Sequence, residues 1–113
     1  MIFSTIPAAK LAPAGITLTA PEGPIPSSAA GETAAKAASN ESGGRAVLEY
    51  HYAHCVDSQS ANPHVDEDCW AVSLDPTGVV SNPPPGRPAQ TATYSLLLID
   101  PANDKFIEWA DGG

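Results

Sequence analysis

The chain has little positive charge, little charge of any kind, few large aromatics and no long apolar run. Five Lys and Arg stand against thirteen Asp and Glu, a net charge of -8. A duplex nucleic-acid binder needs a basic patch, and five scattered cations cannot make one. Attraction to an anionic membrane surface is disfavoured for the same reason. No stretch approaches the ~18 apolar residues of a membrane span. The first residues lack an early positive charge, and Pro7, Lys10 and Pro13 interrupt the apolar run. They do not read as a signal peptide, so a cytosolic origin is the default expectation. No phosphate loop, dinucleotide fingerprint, nucleophile elbow or H-E-x-x-H is present, and no cofactor is expected.

What is abundant is proline and glycine, twelve and nine in 113 residues. Only 16% of the residues are charged, against about a quarter in an ordinary soluble domain. A chain of this composition stays disordered or is ordered by a partner. The length allows one domain at most.

The charge is unevenly placed. Lys10 and Lys36 nearly balance Glu22, Glu32 and Glu41 in residues 1–44, leaving the excess of acid to residues 45–113. This division marks an N-terminal arm, 1–44, and a module, 45–113. In the arm, Pro7 stops a short strand at MIFSTI. ITLTA (16–20) is a β-branched run suited to adding to a sheet edge. PEGPIPSS is polyproline-like. AAGETAAKAAS (29–39) is the sole helical candidate. It has almost no large apolar side chain to bury, and alone it is marginal in water. Gly43–Gly44 makes a flexible joint.

The module centres on Arg45–Asp75, read as two β-strands joined by an acidic loop. Side chains alternate faces along a strand. Ala46, Leu48, Tyr50, Tyr52, His54 and Val56 share one face, expected to point inward. Val47, Glu49, His51, Ala53 and Cys55 share the other. In the second strand Trp70, Val72 and Leu74 lie opposite Cys69, Ala71 and Ser73. Both cysteines thus fall on the less apolar side. Paired antiparallel, Cys55 and Cys69 close the base of the loop, and a disulfide fits if their α-carbons come within about 7 Å. Free thiols are the alternative in a reducing compartment. A metal site is a third reading, since His51, His54, Cys55, His64, Asp66 and Cys69 are all ligand types. The tight ligand pairs of structural zinc are missing, however, and His51 and His54 point to opposite faces. No metal is therefore assigned. Cysteine catalysis fails on the same geometry, because His54 points away from Cys55 and His51 lies some 13 Å along the strand. Asp66, Glu67 and Asp68 lack the spacing of a calcium loop.

Beyond the hairpin, DPTG (75–78) is a type I turn, VVSN a short strand, and NPPPGRPAQ (82–90) a rigid loop. TATYSLLLID (91–100) is apolar on both faces, which requires cover on both. PAND (101–104) turns the chain into a last strand, KFIEWA. The expected fold is all-β: a small antiparallel sheet or sandwich of four or five strands in meander order, with a long extended Pro/Ala/Gly-rich N-terminal arm. The terminal Gly112–Gly113 is similar to the diglycine of ubiquitin-like modifiers. Those also need an amphipathic helix after a hairpin, and nothing after residue 45 supplies one.

Ordering the arm costs about 1–2 kcal/mol per residue, which only a long contact surface offsets. In size, composition and layout the chain resembles the capsid decoration (cement) proteins of tailed phages. That resemblance implies a non-enzymatic structural protein of the virion, assembled in the host cytoplasm. Its arm would staple major capsid subunits, or other subunits of the assembly, through Ile2, Phe3, Ile6, Leu11, Ile16, Leu18 and Ile25. Self-association through 91–100 would accompany this. Two alternatives are a tail or adhesin accessory module using loops 57–68 and 82–90 on a receptor, and a small metal- or thiol-site protein using Cys55, Cys69 and His64.

Overall fold

The computed structural model describes residues 6, 11–12, 15–58, 65–76, 86 and 94–112. Its framework is a five-stranded sheet with one helix packed on it. The strands are β1 (Ile16–Thr19), β2 (Val47–Asp57), β3 (Val65–Leu74), β4 (Tyr94–Ile99) and β5 (Phe106–Gly112). The helix, α1, spans Ser28–Glu41. The strand order is sequential and every neighbouring pair is antiparallel, a plain meander. VVSN, most of the proline-rich loop and the tip of the 57–68 loop lie outside the described residues, as do Ile2, Phe3 and His64.

The first third differs from the expected arm. ITLTA does add to a sheet edge, but the edge is this chain's own: Ile16 pairs with Asp57 and Thr19 with His54. Gly15 turns the chain into that strand at φ 79°, a conformation that favours glycine, and its carbonyl accepts from the Ser58 amide.

The alanine-rich segment is a helix whose packing depends on its small side chains. Ser27 caps it, with its hydroxyl accepting from the Ala30 amide at 3.2 Å; such a cap satisfies one otherwise unpaired donor. Gly43 and Gly44 end it at φ 83° and 94°, and the Gly44 amide returns to the Ser39 carbonyl. Gly31, Ala34, Ala35 and Ala38 form its buried stripe, the i, i+3, i+4, i+7 pattern of one helix face. That stripe lies on side chains supplied by the sheet: Trp70, Val72, Leu74, Leu97 and Ile99, flanked by Tyr50, Tyr52 and Trp109. A methyl group on Gly31 would stand 2.8 Å from Tyr50 Cε2 and 2.9 Å from Trp70 Cη2. The helix therefore sits as close as a bare backbone allows. Both tyrosines meet Trp70 edge-on, with ring centroids 6.0 and 5.0 Å away, an arrangement aromatic pairs favour.

The opposite face is the second core. Ala53, Cys55, Cys69, Ala71, Tyr94, Leu96 and Leu98 are buried there, together with Ile16 of β1 and with Ile6 and Leu11. The cysteine side of the hairpin, expected to be the less apolar and outward side, is thus an interior surface. Both faces of the sheet are filled, which is why all six residues of β4 are buried.

Two irregularities shift the alternation. Val47 pairs with Leu74 but Glu49 with Ser73, leaving Leu48 as the extra residue. A bulge of this kind reverses the facing of what precedes it. Val47 accordingly joins Tyr50 under the helix, and Leu48 is exposed instead of buried. A second shift lies opposite Leu98 and Ile99. The PAND turn forms as expected. The Asp100 carboxylate accepts from the Ala102 amide, and Asp104 adopts φ 56°.

Candidate functional site

The chemistry-bearing residues of the hairpin gather at the C-terminal half of β2. Cys55 and Cys69 are joined in a disulfide, with α-carbons 6.0 Å apart. Neither is directly opposite the other: Cys69 pairs with Ala53, and Cys55 with Glu67. Both are wholly buried in the core with Leu11 and Ile16. Paired in this way, neither cysteine offers a thiolate to a metal or a substrate. Among the described residues no group of three or more His, Cys, Asp or Glu side chains is arranged to hold a metal ion.

His54 lies one residue before Cys55, on the face turned away from the disulfide, and is the centre of a polar cluster. Its Nδ1 is 3.0 Å from Asp68 Oδ1 and its Nε2 is 2.7 Å from Asp66 Oδ1. Glu22 Oε2 lies 3.7 Å from the same Nε2. The cross-strand register creates this, since His54 pairs directly with Asp68 and Asp66 follows two residues along on the same face. Carboxylates only accept hydrogen bonds, so both ring nitrogens must donate; the geometry is that of an imidazolium. The hydrogen bonds to Asp68 first and Asp66 second raise the His54 pKa above its ordinary 6.5, against the opposing effect of burial.

Asp68 also reaches the segment that links β1 to α1. Its Oδ1 accepts from the Glu22 amide at 3.0 Å and its Oδ2 from the Gly23 amide at 2.8 Å. These two backbone bonds, ahead of His54 itself, lower the Asp68 pKa below its ordinary 3.8. One carboxylate thus ties β3, β2 and the β1–α1 connection together.

A second acidic site lies on the disulfide face. Asp57 ends β2 and is 5% exposed. It shares a hydrogen bond with Glu108 of β5; burial first, then this partner, push the Glu108 pKa up to about 7. Two carboxyls can share such a bond only if a proton lies between them. Elsewhere His51 Nε2 lies 2.9 Å from Glu49 Oε2, partly in solvent.

The residues expected to contact partners separate into groups. Ile6, Leu11 and Ile16 are buried in this chain's own core, and Leu18 packs against the same core. They stabilise the module instead of protruding from it. Ile25 is 67% exposed; Leu48, which alternation places on the inward face, and Phe106 are also exposed. Sequence reasoning also missed the Asp57–Glu108 pair, because no spacing rule links the end of one strand to a residue fifty positions later. Comparisons with protein-family models, curated proteins and solved structures find no match for this chain.

Proposed function

We propose that this protein is a non-enzymatic structural component of a large assembly, a capsid decoration protein or a similar small virion protein that docks on neighbouring capsid subunits. The observation that carries the reading is how the hairpin uses its reactive side chains. Cys55 is bonded to Cys69, and His54 to Asp66 and Asp68, so each group has its partner within the module. The large apolar side chains of Ile25, Leu48 and Phe106 stand in solvent. Exposed apolar and aromatic side chains are the groups that serve as anchors when an interface forms.

The mechanism differs from arm stapling in one respect. Residues 16–44 already have partners within the chain, so a rigid module presents the contacts, and many weakly held copies supply stability through valency. A buried disulfide suits a particle surface exposed to an oxidising exterior.

Cosedimentation tests the reading. The protein is mixed with shells assembled from the major capsid protein of the same virus. Binding should saturate at a copy number set by the shell lattice. The Ile25→Ser/Leu48→Ser/Phe106→Ser variant should bind at least tenfold more weakly while melting at the same temperature. Wild-type protein that stays in the supernatant at every concentration would refute the reading.

A further inference from the structure

We propose that His54 is the proton-operated latch of this fold, fastening the β1–α1 connection at Glu22–Gly23 to the β2–β3 hairpin while charged and releasing it when neutral. The argument starts from the ring's surroundings. Among the described residues the charged groups that face it are all acidic: Glu22 from the β1–α1 connection, and Asp66 and Asp68 from β3. Thr19 of β1, paired with His54 across the sheet, carries no charge. The His54 side chain is 13% and that of Asp68 17% exposed, so this pair is shielded from water, while Asp66 and Glu22 reach it from the solvent side.

With both nitrogens protonated, one cation serves three carboxylates. With one proton lost, a single nitrogen donates and the other presents a lone pair to a carboxylate oxygen 2.7 or 3.0 Å away. Three negative charges then surround a neutral ring, and like charges at this separation repel. The group that links the cluster to the N-terminal segment is Asp68. It holds the Glu22 and Gly23 amides with the same carboxylate that His54 orients. Displacing Asp68 therefore frees residues 20–23, and with them the end of β1 at Thr19, which pairs with His54.

The direction with pH follows from linkage. A histidine whose folded pKa is raised contributes stability that is complete below its unfolded value, 6.5, and is lost as pH rises through the folded value. Asp68 sets the acid limit. Its pKa is lowered, so its contribution is present above 3.8 and lost as pH falls through the folded value. The latch is closed between these limits and opens on the alkaline side through His54 alone.

Two readouts on the full-length protein test this. In an NMR titration from pH 5 to pH 9, the His54 ring resonances and the Glu22 and Gly23 amide resonances should move together, with a common midpoint above 6.5. Exchange of the Glu22 and Gly23 amides, taken relative to β4 amides to remove the intrinsic pH effect, should accelerate at least tenfold across that midpoint. His51→Gln should keep this acceleration; His54→Gln should abolish it, with the Glu22 and Gly23 amides exchanging at the open-state rate at all pH values. Glu22 and Gly23 resonances that ignore the His54 titration in the wild type would overturn the proposal even if His54→Gln fails to fold. An unchanged acceleration in a folded His54→Gln protein would overturn it equally.

Discussion

The two faces of the sheet are closed by different means. On one, a continuous helix of small residues lies on large aromatic and aliphatic side chains of β2, β3 and β4. On the other, Ile6 and Leu11 from the N-terminal segment pack with Ile16 of β1 in a core cross-linked by Cys55–Cys69. The helix face is a fit of shape, with no room for an added carbon. The disulfide face is a fit of volume, where atoms removed leave a gap. Additions should therefore harm the first and deletions the second.

The largest effect separates the faces by deletion. Ile6→Ala/Leu11→Ala removes two buried side chains from the disulfide face and should cost about 4–10 kcal/mol in urea unfolding, at roughly 2–5 for each. Next comes removal of the cross-link. Cys55→Ala/Cys69→Ala opens a bridge between residues 14 apart and should lower stability by about 3 kcal/mol, leaving the near-ultraviolet signal of Trp70 in place. The third tests the helix face by addition. Gly31→Ala should gain about 1 kcal/mol of helix propensity, yet lose about 2–3 kcal/mol to overpacking against Tyr50 and Trp70. The net is a destabilisation of about 1–2 kcal/mol; a stabilised variant would show that the helix stands further from the sheet.

The smallest effect appears only with pH. The raised Glu108 pKa means its proton is held in the folded state, so its contribution is complete below 4.5 and lost as pH rises through about 7. Glu108→Gln keeps a donor for Asp57 without that loss. Its melting temperature should match the wild type at pH 4.5 and exceed it at pH 8.5.

The same contrast explains what was legible in the sequence. Strands β2 to β5, their order and the PAND turn follow from period-two alternation and turn chemistry, which act between near neighbours. The distance condition for a Cys55–Cys69 bridge could be stated but not evaluated until the register was known. The helix was misjudged because it was weighed alone: a stripe of Gly31, Ala34, Ala35 and Ala38 has little to bury until Trp70 and Tyr50 are placed beneath it. Residues 16–20 have the composition of an edge strand, but nothing local says that the edge they join is β2 of the same chain. The period-two pattern also misassigned Leu48, because one bulge reverses a face and leaves no mark in composition. The His54 cluster needed the register of β2 against β3, which brings Asp66 and Asp68 to the ring.

The central claim is that residues 16–41 fold on the sheet of their own chain. Amide exchange on the isolated monomer at pH 6 tests it most directly. The account predicts that the amides of β1 and of α1 between Glu32 and Glu41 are protected, together with cross-peaks between Gly31 or Ala34 and the Trp70 ring. Exchange of 16–41 at unfolded-chain rates, beside protected β3 and β4, would contradict it.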